Sequence, residues 1–280
     1  SCWEIESSIS QHETVCFTGG KWEEQRMGNG IFVTGTDTGV GKTLVSSALV
    51  RRLVQTGRSV GVMKPVETGV LPEQLSESDA GRLMAAAGVS DGIDEVSPYR
   101  FPAPLAPLAA ASAQGSVIEM QEIMGRYERL AARDSCVVVE GAGGLLVPMG
   151  KDWDMRDLIG RIGLPVVLVG RAGLGGINHA LLTLEGLRQR HCAVMAVVLN
   201  ETALSTTPAQ QEQSASTVAL LRERAGVPVL GPLPYQPQLG TDWSGAVEAL
   251  AQSSPIRELA NLVWANAVGM SGSPRRGPEP

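Results

Sequence analysis

The sequence predicts an α/β domain of three layers, a doubly wound and mostly parallel sheet with helices on both faces. Three observations predict it. Short apolar runs at 31–33, 60–63, 136–139, 166–169 and 194–199 have the length and β-branching of strands buried on both sides. Between them lie longer stretches with helical spacing, such as Leu44, Ala48, Leu49, Leu53 and Ala180, Leu181, Leu184, Leu187. Gly-rich segments fall at the carboxyl ends of the strands, where sheets of this kind place their ligands.

Residues 1–29 mix Trp, Cys, Glu and Ser without apolar periodicity and are expected to form a disordered extension to a domain spanning 30–268. The first strand, Ile31-Phe32-Val33, runs into Thr34-Gly35-Thr36-Asp37-Thr38-Gly39-Val40-Gly41-Lys42-Thr43, and an amphipathic helix follows at once. Strand, Gly-rich turn and helix is the order a phosphate-binding loop requires. The glycines let backbone amides turn inward around an anion, and the helix N-terminus adds partial positive charge. Lys42 would reach the β- and γ-phosphates, and the Thr43 hydroxyl would ligate Mg2+. The spacing is longer than the simplest pattern, with five residues rather than four between Gly35 and Gly41.

The second strand ends in Lys64-Pro65, so its ammonium can point into the same strand-end cleft as Lys42; taken alone, such a lysine also reads as a solvated surface residue. Ser78-Asp79 opens a helix, where Asp79 reads either as an N-cap or as a metal ligand. Glu140 closes the third strand ahead of Gly141-Ala142-Gly143-Gly144. It can serve as a direct or second-sphere Mg2+ ligand, or as a salt-bridged strand end. Gly175-Gly176-Ile177-Asn178 leads into a helix, so its free amides form a second anion site suited to a carboxylate, and Asn178 can also cap that helix. Residues 256–268, with Arg257 and Glu258 as their charges, read as a packing helix rather than a membrane-binding one. The Gly- and Pro-rich 269–280 are expected to be a disordered tail.

Composition narrows the function. A net charge of −6 argues against a surface that tracks nucleic-acid phosphates. The four cysteines are scattered without a CxxC pair, which suggests neither a zinc site nor a disulfide framework. No apolar run approaches the roughly 20 residues of a membrane helix, and no basic-then-apolar leader opens the chain. A cytoplasmic protein with neither nucleic acid nor membrane as partner is expected.

The extended loop at 35–43, Lys64-Pro65-Val66-Glu67-Thr68-Gly69, Ser78-Asp79-Ala80, Glu140-Gly141-Ala142-Gly143-Gly144, Gly175-Gly176-Ile177-Asn178-His179 and Val198-Leu199-Asn200 occur in this order. On these motifs the chain resembles the dethiobiotin synthetases from about residue 30 to residue 235. The resemblance implies a P-loop NTPase of the partitioning-ATPase and dethiobiotin synthetase type. It implies a ligase that uses Mg2+ and ATP to join CO2, or bicarbonate, to 7,8-diaminononanoate and close a ring. Thr43, Asp79 and Glu140 would hold metal, and Gly39, Val40, Gly41, Lys42 and Thr43 would enclose the phosphates. Lys42 and Lys64 would spread the transferred charge, while Thr38 and Thr68 bond carbamate and phosphate oxygens. Asn200, with Pro232 and Pro234, would contact adenine. Gly143 would line the substrate site, and Gly175, Gly176, Ile177 and Asn178 would reach it from the neighbouring subunit of a homodimer.

Two positions depart from the family pattern. Gly39 stands where many relatives carry Glu, and Pro107-Leu108-Ala109 where a Pro-His pair is common. Two other readings compete. A synthetase of the cobyrinate amidation type would need a glutaminase domain with a nucleophilic Cys, and no Cys follows Cys192. A partitioning-type regulatory ATPase would carry a signature Lys early in the loop, where Gly35-Thr36-Asp37 stands.

Overall fold

The computed structural model describes residues 14–18, 21–25 and 29–271, with side chains over 29–266. It begins with an antiparallel pair, β1 (Thr14–Thr18) and β2 (Lys21–Gln25). The rest of 1–28, with 272–280, lies outside the described residues, and so does most of the disorder expected for the two tails. Then come β3 (Gly30–Gly35), α1 (Lys42–Gln55), β4 (Val60–Met63), β5 (Val66–Thr68), α2 (Asp79–Ala87), α3 (Ile93–Val96), β6 (Tyr99–Phe101), α4 (Pro107–Ala113) and α5 (Met120–Arg133). The second half holds β7 (Cys136–Gly144), α6 (Met155–Ile162), β8 (Val166–Arg171), α7 (Gly176–Gln189), β9 (Val194–Asn200), α8 (Pro208–Arg224), β10 (Val229–Leu233), α9 (Trp243–Ala251) and α10 (Ser254–Ser271).

Six of these strands form one sheet in the order β10-β9-β8-β3-β7-β4, every neighbour parallel. Its side chains alternate between two apolar layers, as a pleat with both faces covered demands. Ile31 and Val33 of β3 turn toward α1, α2, α9 and α10, while Phe32 turns toward α5 and α6. Along β8 and β9, Leu168, Val197 and Leu199 meet α7 and α8. Phe32 is fully buried, so truncation to Ala would cost about 3–5 kcal/mol. In α10, Ile256, Leu259, Ala260 and Val263 are buried at helical spacing, which makes it the packing helix expected. No described helix is long and apolar enough to cross a membrane.

The sequence reading anticipated five of the six strands. It missed β10, whose Pro232 obscures the apolar run; Pro is tolerated there because β10 is an edge strand. It also merged β5 into the end of β4, whereas β5 turns away to pair with β6. Sheet order fixes the position of the site. Beyond β3 the strands run one way to β7 and β4 and the other way to β8, β9 and β10, so the crevice at their carboxyl ends opens beside β3.

Candidate active site

A cavity of about 700 Å³ occupies that crevice. The loop after β3 forms one wall, with Thr38, Gly39, Gly41, Lys42 and Thr43; Lys64, Thr68, Asp79, Gly143 and Asn200 contribute others. Segments far apart in sequence therefore share one space, and Lys42 and Lys64 both border it.

The phosphate loop is held by its own contacts. Lys42 is 7% exposed, and its Nζ donates to the Asp37 carbonyl at 2.9 Å. Asp37 in turn accepts from Thr38 N at 2.7 Å and pairs with Arg171 at 3.0 Å. Gly41 adopts φ 99°, and a Cβ there would lie 2.3 Å from Asn200 Nδ2. Only glycine lets Asn200 approach closely enough to donate to the Val40 carbonyl at 3.1 Å. Burial, and then the charge of Lys64, pull the Lys42 pKa down to about 8. Gly39, the first departure, has φ 72° and open space where a side chain would stand. Leu108, the second, is half-buried, donates its N–H to the Pro148 carbonyl at 3.2 Å, and does not line the cavity.

Lys64 sits at the centre of a buried ionic cluster. Strand register explains the placement: β4 pairs Met63 with Val139 of β7, so the next residue of each, Lys64 just past the end of β4 and Glu140 within β7, come to lie side by side. Lys64 Nζ lies 2.7 Å from Glu140 Oε1 and 2.7 Å from Asp79 Oδ2, and donates to the Gly141 carbonyl at 3.2 Å. Thr43 Oγ1 donates to the same Glu140 Oε1 at 2.8 Å. Burial opposes the Lys64 charge, but Glu140 and Asp79 outweigh it and hold the pKa above the ordinary lysine value. Burial likewise opposes the Asp79 charge; Lys64 foremost, with the Thr43 hydroxyl and Lys42, holds that carboxyl below its usual range. The fully buried Glu140 Oε2 has no hydrogen-bond partner. Such an orphaned acceptor suits a bound cation or donor. With Thr43 and Asp79 beside it, the oxygen donor set has the hard character that suits Mg2+. Asp79 is not the N-cap: Ser78 Oγ fills that role by accepting from Gly81 N at 3.0 Å, which leaves the Asp79 carboxylate for Lys64.

Not every predicted residue reaches this cavity. Val40 lies fully buried behind the loop, and Pro232 and Pro234 are absent from the lining, which carries Tyr235 and Gln236 instead. Gly175, Gly176, Ile177 and Asn178 are also absent from it. Helix α7 begins at Gly176, with left-handed Gly175 at its N-cap and no side-chain cap, so Asn178, already inside the first turn, does not cap it as expected. The lining also includes Glu67, Arg82, Glu201 and Trp243, which the sequence reading gave no role. Arg82 carried a usable signal, because it follows Asp79 by one helical turn and shares its face. The guanidinium lies 4.0 Å from the centre of the Trp243 ring. Trp243 had no local motif to mark it.

A parallel sheet with a Gly-Lys-Thr loop at its switch point, and acids and a second lysine around it, defines a nucleotide-binding enzyme of the P-loop class. A family profile described as an AAA domain matches residues 29–242. The chain is 43% identical to an ATP-dependent dethiobiotin synthetase of Anaeromyxobacter sp. (strain K), over 75% of this chain and 92% of that one. It is 39% identical to the enzyme of that name from Thermodesulfovibrio yellowstonii over 83% and 99%, and 35% identical to that of Bacillus subtilis (strain 168) over 73% and 87%. Among solved structures, the MinD cell division protein of Aquifex aeolicus aligns over 87% of this chain and 97% of its own at 14% identity, with a TM-score of 0.46. That likeness is too loose to add anything. The chain belongs to the dethiobiotin synthetase family, and it is a ligase of biotin biosynthesis.

Proposed function

We propose that this chain uses ATP to carboxylate 7,8-diaminononanoate with CO2 and close the ureido ring of dethiobiotin, releasing ADP and phosphate. An amine of the substrate adds to CO2 to give a carbamate. The γ-phosphoryl of ATP passes to the carbamate oxygen and forms a carbamic-phosphoric anhydride. The second amine attacks the carbamoyl carbon, and phosphate leaves. The observation that carries this reading is the convergence of Lys42, Lys64, Thr43 and Asp79 on one cavity at the strand ends, with the fully buried Glu140 bonded to Lys64 and Thr43.

The residues divide the work by position. Backbone amides of Gly39, Val40 and Gly41 and the Lys42 ammonium hold the β- and γ-phosphates. Lys64 lies across from Lys42 and steadies the negative charge that passes from ATP to the carbamate, while Thr38 and Thr68 on the cavity wall bond its oxygens. Thr43, Asp79 and Glu140 would hold Mg2+, which neutralises phosphate charge when bound. The Asn200 Nδ2 is already committed to Val40; its buried Oδ1, without a partner, supplies the acceptor that an adenine amine requires. Gly143 borders the space left for the diamine.

Residues 175–178 do not border this cavity, and Leu174 beside them is 85% exposed. This supports a homodimer in which each subunit lends those amides to the carboxylate tail of its partner's substrate. The test is incubation with diaminononanoate, bicarbonate and Mg-ATP, with products read by mass. Dethiobiotin and ADP in equal amounts are expected; ADP without dethiobiotin would refute the substrate assignment.

A further inference from the structure

We infer that Glu67 is a positioning residue that holds Asp79 against Lys64, by capping α2 from outside the helix. Glu67 is 7% exposed and borders the cavity. Its Oε1 accepts from Asp79 N at 2.5 Å, and its Oε2 accepts from Ala80 N at 3.2 Å. Ser78 Oγ takes the next amide, that of Gly81. Amides at the start of a helix have no partner within it, and a single N-cap side chain ordinarily satisfies only one. Here a carboxylate from another element satisfies two.

The origin of that carboxylate gives it meaning. Ser78 could cap α2 wherever α2 happened to lie, but Glu67 belongs to β5, in the segment that carries Lys64 and Thr68. β5 is itself fixed by pairing with β6, with Glu67 opposite Arg100 and Thr68 opposite Phe101. The two bonds from Glu67 therefore register the first turn of α2 to the Lys64 segment. Asp79 is the first residue of that turn, and its carboxylate meets Lys64 Nζ at 2.7 Å. A continuous path runs from Glu67 through the α2 backbone to Asp79, Lys64, Glu140 and Thr43. Losing Glu67 would leave α2 helical, held by Ser78, but would free its first turn to drift from Lys64.

The inference rests on the role given above to Asp79, so the test separates the two. Turnover of diaminononanoate with bicarbonate and Mg-ATP is measured for Glu67→Ala, Asp79→Asn and the double variant. Glu67→Ala is expected to lower kcat about 10- to 100-fold, the usual effect of losing a supporting partner, with the KM for ATP within about twofold. If Glu67 acts through Asp79, the double variant will be no slower than Asp79→Asn alone. In ligand-free protein, the Asp79 and Ala80 amides should exchange hydrogen faster in Glu67→Ala, while those of α1 are unchanged. Glu67→Gln retains one acceptor and should recover part of the rate; it carries the same measurements if Glu67→Ala fails to fold. Losses that multiply in the double variant, or unchanged exchange at the start of α2, would overturn the role of Glu67 alone. Asp79→Asn at the full rate would overturn both readings.

Discussion

Lys64 Nζ and Glu140 Oε1 lie 2.7 Å apart where neither side chain is more than 3% exposed. In a charge pair removed so completely from water, losing either partner leaves the other buried and uncompensated. Replacing Lys64 with Gln should therefore lower kcat by at least about a hundredfold while changing ATP affinity only a few-fold, because the charge it steadies develops during phosphoryl transfer. Equal losses in turnover and in ATP binding would contradict that assignment. Lys64→Met strands the buried Glu140 carboxylate and should cost about 3–5 kcal/mol in urea unfolding. Adding Glu140→Gln should return much of it.

Lys42→Ala should abolish ADP formation, with a fall of at least about 10³-fold, since the loop would keep its amides but lose the cation facing the phosphates. A coupled ADP assay checks this, and retained turnover would remove the assignment of the loop.

ATP affinity should depend on pH through the same side chain. The lysine charge is present below its pKa of about 8 in the ligand-free protein and lost above it. Bound phosphates favour the charged form, so binding above that pH takes up a proton and affinity falls by up to about tenfold per unit. Calorimetry in buffers of different ionisation enthalpy should detect this proton uptake. Constant affinity across the same range would count against it.

Gly41→Ala should weaken ATP binding by about 1–3 kcal/mol from backbone strain alone, before the collision with Asn200 is added. Isothermal titration measures the loss. Gly39→Ala meets no neighbouring atom and is expected to show the conformational part only.

Sedimentation should show a dimer. An enzyme that is monomeric and fully active at assay concentration would rule out the role given to residues 175–178.

Much of this was written locally in the chain. The β3 loop, Lys64 and Glu140 each follow an apolar run that announces a buried strand, and parallel register brings the last two together with no further instruction. What the local pattern could not carry was partnership across the fold. Ser78-Asp79 reads equally well as a cap, and only the arrival of Glu67 and Lys64 from the preceding segment divides the labour among these residues. Pro232 hid the sixth strand because an edge position, which excuses a missing N–H, is a property of the sheet and not of the segment. Trp243 joins the cavity from the far end of the domain, where no local motif signals a ligand, and Tyr235 lines it where the expectation fell on its neighbours Pro232 and Pro234.

The two outer strands of the main sheet are poor templates for further growth. β10 presents Pro232 on one flank, and β4 on the other is only four residues long. An unpaired strand invites another chain to add to it, and interruptions of this kind are how proteins discourage such fusion. Copies of this chain are therefore steered toward meeting through helices and loops, and it should remain free of fibrous aggregates at concentrations where a long, open edge would seed them.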